Sequence, residues 1–142
     1  MTPVTLTREQ HRAQHALQSV NQVQTKAKKF RGEYKSYAES LPANIVMNGL
    51  GQACAMLLAQ ANGNSADQDA HRLLYDHLHY WLRGSEHAGI YPKDQDLVEA
   101  VINHGQREYI RAQVESLAYL DWLKKFAQAY LTGEESRHGE AD

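Results

Sequence analysis

The sequence predicts an all-α protein: a compact multi-helix bundle forming a single domain over residues 1–131, followed by an acidic tail over 132–142. Three observations carry that expectation. Apolar residues recur at three- and four-residue spacing through each long segment, no run alternates with the period of a strand, and the links between periodic segments are short and polar. At 142 residues the chain is long enough to bury a core without disulfide or metal staples.

Thr7 and Gln10 in "TREQ" have the spacing of a capping box, so the first helix opens there. Ala13, Ala16, Leu17, Val20, Val23, Ala27 and Phe30 then make one apolar stripe, which carries the helix to about Phe30. Gly32 is expected to break it, with a short helical piece "YKSYAES" beyond. Pro42 restricts Leu41 before it and suits a helix start, so a new helix is expected from Pro42 to about Ala61. After the polar loop "NGNSADQD", Ser65 and Gln68 have capping-box spacing ahead of "HRLLYDHLHYWL", in which Leu74, Leu78, Trp81 and Leu82 line one face. The loop "GSEHAGIYPK" follows, and Asp94 is expected to cap "QDLVEAVINH", with Leu97, Val98, Val101 and Ile102 at helical spacing and Gly105 as its interruption.

The last helix, about Gln106 to Leu131, is the longest and most apolar. Leu120, Leu123, Ala127 and Leu131 cluster on one side, while Tyr119, Trp122, Phe126 and Tyr130 occupy the adjacent side. The aromatic stripe either completes the core or forms a subunit interface, since aromatic residues are favoured interface anchors.

The stretch "IVMNGLGQACA", residues 45–55, invites a nucleotide-binding reading, because Gly-x-Gly can turn a strand into a phosphate-cradling helix. Pro42 leaves only a few residues for the strand that must precede, and a polar loop replaces the second strand that must follow. Gly49 and Gly51 are therefore read as helix-interior residues, each costing about 1 kcal/mol relative to alanine. Lying two apart, they suggest a thin segment that neighbours approach closely from both sides.

Candidate chemistry is sparse. Of eight histidines, His11 and His15 have chelating i, i+4 spacing, but no glutamate follows His11 as a metalloprotease motif requires and no cysteine is near. His77 and His79, two apart, cannot face one ion from a regular helix. The sole Glu-x-x-His spacing, Glu135 to His138, falls in the polar tail. Cys54 sits among Ala53, Ala55 and Met56 with no histidine partner in view and reads as a buried small hydrophobe in a reducing, intracellular setting. These observations point to no catalytic residues, no metal and no cofactor. A missing basic-then-apolar leader and the lack of a run near 20 apolar residues lead to the expectation of a soluble, cytoplasmic protein.

Charge is distributed unevenly behind the net −2. The tail "GEESRHGEAD" sets four acids against Arg137, whereas "KAKKFRGEYK", Lys26 to Lys35, carries five bases and one acid. Phe30, Tyr34 and Tyr37 interleave with those bases, the mixture that single-stranded nucleic-acid sites use for phosphate neutralisation and base stacking. Lysines at the end of a first helix also suit its C-terminal dipole. Lys26, Lys28, Lys29, Arg31 and Lys35 are the leading nucleic-acid-contact candidates, followed by Arg107, Arg111, Lys124 and Lys125.

"YKSYAESLPANIVMNGLGQACAMLLAQ" resembles the signature of the small helical subunit of the Cmr complex, the type III-B CRISPR RNA-guided effector, with Pro42, Asn48, Gly49, Leu50, Gly51 and Gln52 as its most specific positions. "RAQHALQSVNQV", "LLYDHLHYWL" and "YIRAQVESLAYLDWLKKFAQA" extend the resemblance, in order, from about Arg8 to Leu131. The resemblance implies a non-catalytic protein that stacks in several copies beside repeated backbone subunits and lines the guide and target RNA channel. Its partners would be other Cmr subunits, further copies of itself, guide RNA and target RNA, with no membrane. The same resemblance leaves the small subunit of a related type III or type I CRISPR effector as an alternative, and the residues by themselves leave a free-standing helical adaptor or regulator that binds a partner helix.

Overall fold

A computed structural model describes residues 4–83 and 88–131. Among them are α1 (Arg8–Gln24), α2 (Lys28–Asn48), α3 (Leu50–Ala61), α4 (Ala70–Leu82), α5 (Leu97–Asn103) and α6 (Gln106–Tyr130). The described residues form no strand beyond an isolated bridge between Arg83 and Tyr91, so the all-α expectation holds. The acidic tail lies outside the described residues.

The capping box at Thr7 forms as expected: Gln10 N–H donates to Thr7 Oγ1 at 3.1 Å, and Thr7 N–H donates to Gln10 Oε1 at 2.8 Å. The first helix nevertheless stops at Gln24, short of Phe30. Thr25 Oγ1 donates back to the Gln22 carbonyl at 2.7 Å and the Arg31 guanidinium donates to the Lys26 carbonyl at 2.8 Å, so orphan carbonyls at this end find side-chain donors. Ala27 is then extended and α2 begins at Lys28.

Gly32 and Pro42 both lie inside α2, contrary to the breaks expected at each. A Cβ on Gly32 would meet nothing within 4 Å, so this glycine costs helix propensity without marking a turn. At Pro42 the missing N–H and the ring's clash with the preceding turn disfavour helix by about 3 kcal/mol. Burial of Tyr34, Ala38, Leu41 and Ile45 along one continuous stripe offsets that penalty, because tertiary packing sustains the helix on both sides of the proline.

The true break is Gly49. Its N–H donates to the Ile45 carbonyl at 2.8 Å, ending α2, and its own carbonyl accepts from Ala53 N–H at 3.0 Å, opening α3. Its backbone, at φ 88° and ψ 156°, is accessible essentially to glycine alone. Gly51, by contrast, is inside α3 as expected.

Two further starts differ from the sequence expectation. Asp69, not Ser65, caps α4, accepting from His71 N–H at 2.8 Å and Arg72 N–H at 3.3 Å, while Ser65 and Gln68 belong to a preceding turn. Asp96 rather than Asp94 precedes α5, and α4 supplies the caps: Leu97 N–H donates to His79 Nδ1 at 3.2 Å and Val98 N–H to the Tyr75 hydroxyl at 3.0 Å. The Tyr75 hydroxyl in turn donates to Asp96 at 2.8 Å.

α6 packs most extensively on α1 and α2. Arg12 with Glu115, Ser19 with Tyr119 and Gln24 with Tyr130 pair in rising order, so α1 and α6 run in the same direction. Glu39 on α2 pairs with Gln128, and Leu50, two residues past the end of α2, pairs with Gln113, a falling order that shows α2 running against α6. Trp81, Tyr34, Tyr75 and Tyr119 are the largest fully buried side chains of the core these helices enclose.

Candidate nucleic-acid interface

The basic residues reach the surface at three places. At the α1–α2 corner stand Lys26, Lys28, Lys29 and Arg31. Lys26 pairs with Asp67 at 3.2 Å and lies 5.4 Å from the Phe30 ring centroid. Lys28 and Lys29 are exposed in the first turn of α2 rather than at the end of α1, so the helix dipole opposes their charge and gives no structural reason for them.

Lys35 forms the second place, with Lys124 and Lys125. Lys35 approaches Glu39 at 4.0 Å, and Glu39 accepts from Gln128 Nε2 at 2.9 Å. Lys124 is one turn before Gln128, so Lys35 and Lys124 flank a shared α2–α6 surface. Lys124 and Lys125 both also approach Asp121, at 3.9 and 3.1 Å. Arg107 and Arg111 are at the other end of α6, with Arg107 about 25 Å along the helix from Lys124. The nine candidate bases therefore do not merge into one patch.

The interleaved aromatics are not a base-stacking platform. Tyr34 is fully buried, with its hydroxyl 2.7 Å from His77 Nδ1. Tyr37 stacks on His71 with ring centroids 3.7 Å apart, and Phe30 is half-buried. What the α1–α2 corner offers is positive charge, which suits phosphate and carries no base information.

The signature around Gly49 has a structural role. Leu50 N–H donates to Gln113 Oε1 at 3.1 Å and Gly51 N–H to the Tyr109 hydroxyl at 3.1 Å, so α6 occupies the donors that a phosphate cradle would need. A Cβ on Gly49 would stand 2.8 Å from that hydroxyl, and one on Gly51 would stand 3.4 Å from Val101 Cγ1. The two glycines let α5 and α6 close on the α2–α3 elbow. Leu50 is buried, Pro42 is half-buried, and Asn48 and Gln52 are exposed.

Of the C-terminal aromatic stripe, Tyr119 belongs to the core. It is 0 % exposed, stacks on Trp81 at 5.5 Å and hydrogen-bonds with Ser19 at 3.0 Å. Trp122 and Phe126 are half-buried against that core, and Tyr130 is 49 % exposed. Their rings continue outward in sequence, 5.6 Å from Trp122 to Phe126 and 6.2 Å from Phe126 to Tyr130. The stripe thus passes from core to surface along α6.

Sequence reasoning missed the polar seam inside the bundle. Arg12 grips Glu115 through two hydrogen bonds, Nε to Oε2 at 2.6 Å and Nη2 to Oε1 at 2.9 Å, and Trp81 Nε1 donates to the same carboxylate at 2.9 Å. The hydrogen bond to Glu115 raises the Arg12 pKa beyond its usual value. His15 Nδ1 meets the Tyr119 hydroxyl at 2.8 Å, which engages it inside the bundle rather than in a pair with His11. His77 Nε2 donates to Gln22 Oε1 at 2.8 Å, leaving Nδ1 to accept from Tyr34. Burial, then the nearby His15, pushes the His77 pKa down to about 3. Burial also pushes the Cys54 thiol up to about 12, which suppresses the reactive thiolate. Among the described residues no three ligating side chains gather as a metal site would require.

The described residues form an all-α bundle that pairs Glu115, His77 and Tyr119 with partners on other helices and carries separate cationic clusters on its surface. The CRISPR-associated protein family Cas_Cmr5 matches residues 8–130. The chain belongs to that family. It is 33% identical over 101 residues to the CRISPR system Cmr subunit Cmr5 of Thermus thermophilus, covering 71% of this chain and 77% of the relative. The crystal structure of a CRISPR-associated Cmr5 family protein, also from Thermus thermophilus, superposes with a TM-score of 0.68 at 29% identity, covering 89% of this chain and 98% of that one. No helix among the described residues is long and apolar enough to cross a membrane.

Proposed function

We propose that the chain is a non-catalytic, structural subunit of a type III-B CRISPR (Cmr) ribonucleoprotein effector, stacking in several copies along the guide and target RNA channel and supporting target RNA binding in antiviral defence. The family match across residues 8–130 is the observation that carries this reading, and it favours the Cmr assembly over a related effector or a free-standing adaptor. Its partners are the repeated backbone subunit, further copies of itself, and RNA, in the cytoplasm.

Surface chemistry supports the assignment. Lys28 and Lys29 sit where the helix dipole disfavours them, as phosphate-contacting groups do when function outweighs local stability. Ile110 and Val114 are 54 % and 64 % exposed one turn apart on α6, and with Tyr130 they give neighbouring subunits apolar surface to bury. His15 and His77 are engaged by Tyr119 and Gln22, and burial pushes the Cys54 thiol up to about 12, which supports the non-catalytic reading.

Reconstitution of the complex with and without this chain tests the reading. Omission is expected to shorten the assembly and weaken target RNA binding. Lys28→Glu with Lys29→Glu is expected to lower the salt dependence of RNA binding by about one unit of log–log slope per lost phosphate contact without altering sequence preference. Unchanged assembly and RNA affinity after omission would refute the structural role.

A further inference from the structure

We propose that the groove between the start of α1 and the first half of α6 receives a segment of a neighbouring subunit that presents a carboxylate side chain beside an apolar one. That the segment belongs to a subunit rests on the reading above; the chemistry of the groove does not. The groove measures about 260 Å³, room for a side chain or two and less than small-molecule pockets offer. Arg8 of α1, Ile110, Arg111, Val114 and Glu115 of α6, and Ile90 of the loop before α5 line it.

Its charge is unbalanced because its one acid is already engaged. Glu115 is buried, and its carboxylate accepts two hydrogen bonds from Arg12 and a third from Trp81 Nε1. Arg8 Nη1 stands 3.9 Å from Glu115 Oε1, too far to hydrogen-bond. The Arg8 side chain is 52 % exposed, and its guanidinium has no hydrogen-bond partner among the described residues. Arg111 is exposed and within salt-bridge distance of no carboxylate among the described residues, although Glu108 and Glu115 lie one turn to either side. Glu9 acts on Arg12 and lies outside the groove lining. Two guanidiniums are thereby held at one mouth with their donors unused, and a guanidinium takes a carboxylate through paired hydrogen bonds.

The walls decide between a protein and a nucleic acid. Ile110 and Val114 are 54 % and 64 % exposed, one turn apart, and Ile90 is half-buried in the same groove. Phosphate needs no apolar wall, and none of the lining residues is an aromatic on which a base could stack. Arginines around exposed aliphatic side chains suit a protein interface, where the apolar contact excludes water and strengthens the ion pair.

Two measurements test the groove and the subunit reading separately. In the isolated full chain, the amide resonances of Arg8 and of residues 110–115 are expected to shift with millimolar acetyl-Leu-Glu-Leu-amide. The shifts are expected to be several-fold smaller with acetyl-Leu-Gln-Leu-amide, and with the glutamate peptide in the Arg8→Gln, Arg111→Gln variant. Equal response to the two peptides, or no response to either, overturns the proposal. So does oligouridylate if it moves these amides more strongly than the glutamate peptide at the same ionic strength, which would return the groove and Arg111 to the phosphate contacts. In the reconstituted complex, benzoylphenylalanine in place of the exposed Ile110 is expected to cross-link to a neighbouring subunit, at a segment with Asp or Glu beside an apolar residue. The yield is expected to drop several-fold in the Arg8→Gln, Arg111→Gln background. Cross-links to RNA, to a segment lacking an acid, or none at all from an incorporated chain overturn the proposal. If the glutamate peptide binds as expected while the wild-type chain never enters the complex, the subunit reading fails and the chemistry of the groove stands.

Discussion

His77 joins three helices through one neutral ring. Nε2 donates to Gln22 on α1, Nδ1 accepts from Tyr34 on α2, and the ring itself belongs to α4. Protonation would put a charge into the core and remove the acceptor that Tyr34 uses. The folded pKa, near 3, is below the ordinary value of about 6.5, so the unfolded chain takes up the proton first. This contribution to stability is fully present above about pH 6.5 and is lost as pH falls from there toward 3. Urea midpoints measured between pH 7.5 and 4.5 are expected to fall in the wild type and to fall less in His77→Gln. Glu115 is the matching case for charge: with Arg12 only 16% exposed at the side chain, Glu115→Ala strands a guanidinium and Trp81 Nε1, and is expected to cost about 3 kcal/mol in denaturant unfolding. Neither residue was legible as a site, since a histidine and a glutamate on helices read as polar-face residues until the partners, dozens of positions away in sequence, are brought opposite.

At the scale of elements, the periodic segments were legible, as were the starts of α1 at Thr7 and α6 at Gln106, while most other ends were not. Apolar spacing located the helices because burying one face is what stabilises them. Boundaries depended on side chains from elsewhere: Arg31 closes α1, Tyr75 and His79 open α5, and Gln113 with Tyr109 open α3. Pro42 misled because local propensity was outweighed by packing, whereas Gly49 carried a constraint that spacing alone does not display. Gly49→Ala is expected to cost about 2 kcal/mol, from backbone strain together with the contact at the Tyr109 hydroxyl. In a Tyr109→Phe background the same change should cost less, because the colliding oxygen is gone; equal costs in a double-mutant cycle would show that the hydroxyl contact is irrelevant. The aromatic stripe on α6 divides similarly. Tyr119→Ala is expected to destabilise the isolated chain by about 3–5 kcal/mol, as loss of a buried aromatic does. Tyr130→Ala, at an exposed position, is expected to leave the melting temperature nearly unchanged and to reduce incorporation into the complex. A normal level of incorporation would remove Tyr130 from the interface.

For the whole molecule, fold class followed from pattern, whereas the family was indicated by resemblance and shown by the match over residues 8–130. Composition alone indicated a basic cluster and no chemistry; it could not identify an assembly, because an assembly's identity resides in surfaces whose partners lie on other chains. Two corrections sharpen the functional picture. Tyr34 beside the basic cluster is buried, Tyr37 stacks on His71 and Phe30 is half-buried, which leaves charge as the main feature of the proposed contact there. The candidate bases stand at the α1–α2 corner and towards the two ends of α6, so they do not form one patch.

Native mass measurement of the affinity-tagged chain, purified from cells that also produce the other Cmr subunits and a guide RNA, tests the central claim most directly. The predicted result is one ribonucleoprotein containing guide RNA, the backbone subunit and more than one copy of this chain. Recovery of the chain alone and free of RNA, from cells in which the remaining subunits assemble normally, would contradict it.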